Sequence, residues 1–161
     1  MGADRVQTIY KDWSVKLHAD GQWANGALFS NEQFGMGGLA GVRGYSEGQA
    51  YGDAGWRFSV EPQTPLVNIG MVDGDVPFWM RGSVFMDYGQ IYSLDGGVFG
   101  SAPGNPNQLD FWGTGWSLTA NIGSHLDARL AMAFPLLDPL GMSNWSPLHD
   151  MHVYFAVGGQ F

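Results

Sequence analysis

Six segments of this chain alternate apolar and polar residues with a period of two, while helical periodicity is poor throughout. A period of two puts successive side chains on opposite faces of a strand, so each segment predicts a strand with one apolar face. At about 11–24, Trp13, Val15, Leu17 and Ala19 oppose Ser14, Lys16, His18 and Asp20. At about 53–63, Trp56, Phe58 and Val60 oppose Arg57, Ser59 and Glu61, and Pro62 and Pro65 close the segment. The third, at about 77–92, sets Phe78, Met80, Val84, Met86 and Tyr88 against Arg81, Ser83 and Asp87. The fourth, at about 110–122, sets Trp112, Trp116, Leu118, Ala120 and Ile122 against Gly113, Gly115, Ser117, Thr119 and Asn121. The fifth, at about 125–137, sets Leu126, Ala128, Leu130, Met132 and Phe134 against His125, Asp127 and Arg129. In the last, at about 150–161, Met151, Val153, Phe155, Val157 and Phe161 oppose His152, Tyr154, Ala156, Gly158 and Gln160. The intervening turn signals predict an all-β antiparallel meander of about six strands, neighbours in sequence order.

Such strands fit a soluble sandwich, in which apolar faces meet one another, or a membrane barrel, in which they meet lipid. Three details favour the barrel. Aromatic residues sit near strand ends (Trp13, Trp56, Phe78, Tyr92, Trp112, Phe161), as interfacial girdles do. Long and short connections alternate. The polar-face residues are unusually small, which suits an interior filled by something else. Composition agrees: 14% charged residues is below the ~25% of ordinary soluble domains, with 25 glycines and 14% aromatics. There is no cysteine, hence no disulfide or thiolate metal site, and a net charge of −8 disfavours nucleic acid. No apolar run is long enough for a transmembrane helix, but transmembrane strands escape that criterion. No signal peptide is read after Met1, so a membrane reading expects a piece of a longer protein or a broken reading frame.

One arginine, Arg43, stands in a glycine-dense loop, Gly35-Met-Gly-Gly-Leu-Ala-Gly-Val-Arg-Gly-Tyr45, with almost no other charge nearby. In a low dielectric it needs a carboxylate or water. Glu61 and Asp87, on the polar faces of neighbouring strands, are the candidates for a forked pair. A solvated loop arginine is the plain alternative. Gly35 to Ala40 matches G-x-G-x-x-A, but Gly41 and Gly44 oppose the helix that a dinucleotide site needs. His149 and His152 are three apart and point to opposite faces of a strand, so one metal cannot take both. Asp127 and Arg129 suggest a structural ion pair. No nucleophile, base and acid set is visible, so no enzyme, cofactor or metal is expected.

Ser30-Asn-Glu-Gln-Phe-Gly-Met-Gly-Gly38, then Val42-Arg-Gly-Tyr45 and Gly52-Asp-Ala-Gly55, resembles the hallmark loop of two-partner secretion transporters. These are the ShlB/FhaC/HecB haemolysin secretion and activation proteins, relatives of the BamA/TamA assembly proteins. Phe85-Met-Asp-Tyr-Gly89 is similar to the later family motif, and Leu130-Ala-Met-Ala-Phe-Pro-Leu136 with Phe161 is similar to the last two strands. The resemblance implies the last part of a sixteen-stranded outer-membrane barrel. Residues 1–161 would form one partial barrel domain with an inward-folding loop at about 26–52, and the periplasmic POTRA domains would be missing from it. It implies a loop tip of Val42, Arg43, Gly44 and Tyr45, with Arg43 pairing Asp87 and Glu61 joining. It also implies an assembly signal in Phe155, Val157 and Phe161, read by the barrel-assembly machinery. The expected activity is passage of an unfolded exoprotein of haemolysin or adhesin type across the outer membrane. A BamA/TamA-like assembly factor and a soluble β-sandwich binding module are the rivals. Both outer edges, 11–24 and 150–161, are expected to be unpaired.

Overall fold

The computed structural model describes residues 1–94, 107–123, 126–139 and 150–159. Among these residues there is no helix. The strands are β1 (Gly2–Tyr10), β2 (Trp13–Gln22), β3 (Phe34–Met36), β4 (Ala50–Gly52), β5 (Ala54–Gln63), β6 (Val67–Val72), β7 (Val76–Tyr92), β8 (Gln108–Ile122), β9 (Leu126–Pro135) and β10 (His152–Gly159). Eight form one antiparallel sheet in the order β1-β2-β5-β7-β8-β9-β10, with β6 paired to β7; β3 and β4 form a separate hairpin. The sheet is a meander, as alternation and turn residues dictate.

The register sorts the two faces. Ser59 opposes Asp87, Asp87 opposes Gly113, and Gly113 opposes Pro135, so one row of side chains crosses four strands on a single face. That inner face buries Phe85, Asp87, Ile91, Leu109, Phe111, Ser117, Ala131 and Ala133. The other exposes Trp56, Phe58, Val84, Met86, Trp112, Trp116, Leu130, Val153, Phe155 and Val157. The apolar face is the outer one, and no second sheet covers it among the described residues, which is not a sandwich arrangement. The loop between β2 and β5 lies on the inner face. Its Met36, Val42 and Tyr45 pack with Ile91, Leu109 and Phe111, and this cluster is the main core.

Three elements differ from the sequence reading. The segment at 11–24 is not an edge: β1 precedes it and pairs along its length, from Gly2 opposite Asp20 to Tyr10 opposite Trp13. Lys11 and Asp12 make the tight turn, both with positive φ (44° and 67°), the conformation that two-residue hairpins require. β1 has no apolar face to read, and all its residues are exposed. Residues 63–76 are not a plain connection but hold β6, turning at Asp73 and Gly74 with φ of 55° and 88°. The long loop carries the β3–β4 hairpin, in which Phe34 opposes Gly52. The Gly35 to Ala40 run therefore opens on a strand, and no helix follows.

Glycines make room for the loop. A Cβ on Gly89 would press on the Met36 thioether at 2.8–2.9 Å, and one on Gly55 on the Phe34 ring at 2.7 Å. A Cβ on Gly113 would strike the backbone carbonyl oxygen of Arg43, a group with nowhere to move. Gly113→Ala is thus expected to destabilise the fold by about 1–3 kcal/mol, as overpacking does. Gly82→Ala, whose Cβ would meet nothing nearer than Thr64 at 3.8 Å, should stay within about 0.5 kcal/mol. Urea midpoints of the two variants in detergent or lipid check the contrast.

Candidate functional site

The loop tip turns at Gly44, whose φ of +100° excludes most side chains and whose missing Cβ leaves room against Phe134 and Pro135 of β9. That turn aims Arg43 at the inner wall. The Arg43 residue is 5% exposed, Glu61 6% and Asp87 1%. The guanidinium meets Asp87 side-on: Nε donates to Oδ2 at 2.6 Å and Nη2 to Oδ1 at 2.7 Å. Its third arm, Nη1, donates to Glu61 Oε2 at 2.7 Å. The backbone N–H of Arg43 also donates to Asp87 Oδ2 at 3.1 Å, so this carboxylate grips both chain and side chain. The structure therefore brings Arg43, Asp87 and Glu61 together. Charge-assisted bonds of this geometry are the strong class.

A second ring of residues completes the cluster. Ser59 Oγ accepts from Arg43 Nη2 at 3.0 Å and donates to Asp87 Oδ1 at 2.6 Å. Ser83 Oγ donates to Glu61 Oε1 at 2.8 Å. Arg129 Nη2 on β9 lies 3.0 Å from Glu61 Oε2, so two guanidinium groups meet two carboxylates and the formal charges cancel. This corrects the pairing of Asp127 with Arg129: Asp127 sits one rung away beside Gly158, and Arg129 reaches Glu61 instead. The Phe85 ring lies under the guanidinium at 3.5 Å to its centroid, a cation–π contact. Burial works against the charge on Arg43, but the bonds and charge of Asp87, then of Glu61, more than offset it and hold its pKa above the ordinary arginine value.

The rest of the tip is held by backbone-directed bonds. Val42 is fully buried in the core. The Tyr45 hydroxyl lies 2.9 Å from the carbonyl oxygens of Trp112 and Leu137 and accepts the N–H of Trp112 at 3.1 Å. Burial above all pushes this hydroxyl above its ordinary pKa of 10.0, so it stays a donor. Tyr154 of β10 bonds the tip backbone at Gly44 and Tyr45. Phe155 and Val157 stand on the outer face, 70% and 56% exposed, and Phe161 lies outside the described residues. His149 is also outside them; His152 bonds the Asp150 carbonyl oxygen at 2.8 Å. Among the described residues no group of three or more His, Cys, Asp or Glu could hold a metal ion.

Sequence reasoning missed Ser59, Ser83, Phe85, Tyr154 and the pairing of Arg129. Each sits on a polar strand face, where alternation marks the face and not the contact. It also missed the anchor at the loop base. Asp53, 1% exposed, accepts the N–H groups of Leu28 at 2.9 Å and Leu94 at 2.8 Å and the Gln33 amide at 3.1 Å. Those bonds, Leu28 first, hold its pKa below the ordinary 3.8 against the effect of burial. A carboxylate depressed in the folded state contributes stability above its unfolded pKa and loses it as pH falls through the folded one. The loop base should therefore be tight from neutral pH down to about 5 and loosen below about 4. Cleavage of residues 25–33 by an acid-active protease, followed from pH 5 to 3, should rise steeply. In Asp53→Asn it should be fast at every pH.

Comparison with known proteins gives one finding. The model of the family described as haemolysin secretion/activation protein ShlB/FhaC/HecB matches residues 4–104, more than half the chain, including Arg43, Glu61 and Asp87. No curated protein and no solved structure matches.

Proposed function

The chain belongs to the haemolysin secretion/activation protein ShlB/FhaC/HecB family, and from that premise we propose that it forms part of the wall of an outer-membrane two-partner secretion transporter. Membership supports the coarse function, that of a two-partner secretion transporter with a secreted partner. The finer reading is that the inner face and its loop line a path along which an unfolded exoprotein crosses the membrane. Lipid would meet the outer face, and the barrel-assembly machinery would read the last strand.

The observation that carries the reading is the buried Arg43 on Asp87 and Glu61. A loop crosses to the inner face of a sheet and spends its single arginine on two wall carboxylates. The sheet's other face is left apolar. A water-soluble protein would be expected to do the reverse, with its apolar face inward. Strand length agrees: β7 has 17 residues, about 55 Å at 3.3 Å per residue, enough to cross the ~25 Å apolar band even at a 45° tilt.

Two measurements test it. Arg43→Ala, in the transporter assembled in outer membranes, should lower secretion of the partner at least several-fold while barrel levels stay unchanged; normal secretion would sink the proposal. Phe155→Arg puts a charge on the outer face and should cost roughly 2–4 kcal/mol if that residue lies near mid-membrane. Folding titrations in vesicles read that cost. A monodisperse chain in plain buffer would argue against lipid as the partner of this face.

A further inference from the structure

Tyr154 lies on β10, outside the residues that the family model matches, with its ring packed against Phe85, Ala131 and Ala133 on the inner face. Its hydroxyl donates to the Tyr45 carbonyl oxygen at 2.9 Å and accepts the Gly44 N–H at 3.1 Å. Two residues earlier on the same face, His152 Nε2 stands 3.4 Å from Ser46 Oγ. Three consecutive loop residues thus meet one face of one strand. The ion pairs tie Arg43 to β5 and β7, and Tyr154 ties the next two residues to β10. Because it bonds backbone groups, it recognises the conformation of the tip, the one that the positive φ of Gly44 creates. No other side chain bonds Gly44 among the described contacts.

The strand that carries this contact pairs with β9 alone among the described residues. A slip of one residue against β9 would turn Tyr154 to the outer face. Displacing β10 therefore undoes both hydroxyl bonds at once, and freeing the tip removes a contact that steadies β10.

We infer that Tyr154 is a positioning residue that latches the loop tip to β10, so that movement of the tip and movement of this strand are one event. The functional half of this inference rests on the transport reading; the latch itself does not.

The chain contains no cysteine, so introduced thiols report without background. In the transporter assembled in outer membranes, Val42→Cys, fully buried while the tip is seated, is labelled with a maleimide, with and without Tyr154→Phe. Loss of two hydrogen bonds should speed labelling about tenfold; an unchanged rate overturns the latch. In a second arm, Ser46→Cys with His152→Cys is bridged by a short bis-maleimide that a reductant cleaves. The bridge should stop secretion and cleavage should restore it, an effect that a merely structural contact would not give. Undiminished secretion with the bridge in place overturns the coupling. Should Tyr154→Phe fail to assemble, this arm decides alone. No secretion from the unbridged protein would instead reject the transport reading, and labelling would still decide the latch.

Discussion

A guanidinium at 5% exposure has few places to go. Stripped of water and left alone it would cost several kcal/mol, and so would each carboxylate it leaves behind. Arg43 and its partners are 44 and 18 residues apart in sequence, so they can meet only if the loop doubles back and β5 lies beside β7. The pairing of Ser59 with Asp87 then places Glu61 and Asp87 on neighbouring strands of one face, spaced to take the two sides of one guanidinium. Misplacing the loop or slipping the register by one residue would strand these charges. A buried ion network contributes little net stability but excludes alternatives, and here it selects where the loop lies and which face of the sheet is inner.

Once the inner face is chosen, alternation decides the rest. The side chains around the ion pairs and the latch come from the same row set: Ser59 and Glu61 on β5, Ser83, Phe85 and Asp87 on β7, Arg129 on β9 and Tyr154 on β10. Their immediate neighbours in sequence include the exposed Phe58, Val84, Met86, Leu130, Val153 and Phe155 of the outer face. The exposed apolar band and the polar loop seat are therefore two consequences of one period-two pattern. Gly113 belongs to the same logic, because the Arg43 backbone lies where its Cβ would be, and Gly55 and Gly89 leave room for Phe34 and Met36 of the loop.

Much of this was legible in the sequence. Strong alternation marked β2, β5, β7, β8, β9 and β10, because one face of each is apolar and the other is not. β1 was invisible since its residues, Gly-Ala-Asp-Arg-Val-Gln-Thr-Ile-Tyr, lack an apolar face and its turn, Lys11-Asp12, lacks glycine. β6 was hidden behind Pro65, which reads as a stop, although its backbone simply resumes pairing with β7 two residues later. Arg43 could be singled out because it is isolated, and Asp87 and Glu61 because carboxylates are scarce on these faces. Tyr154 could not. A tyrosine on a polar face fits alternation without comment, and its role depends on a loop more than a hundred residues away.

The ion pairs set the position of the loop, but its strength lies elsewhere. Val42 and Tyr45 flank Arg43 and are 0% and 2% exposed, packed with Met36 against Ile91, Leu109 and Phe111. Burying side chains of this size contributes about 1.5–3 kcal/mol each, whereas charges released into an aqueous interior recover hydration and give back most of what their pairing supplied. Removing the tip from its seat is therefore costly chiefly because it exposes Val42 and Tyr45. The charge network makes the seat unique, the apolar pair makes it strong, and the backbone bonds of Tyr154 tie it to β10. The base is held separately, by the hydrogen bonds of Asp53 to Leu28, Gln33 and Leu94. The step that costs most is then confined to the few residues around Arg43, on the side of the loop that faces Tyr154.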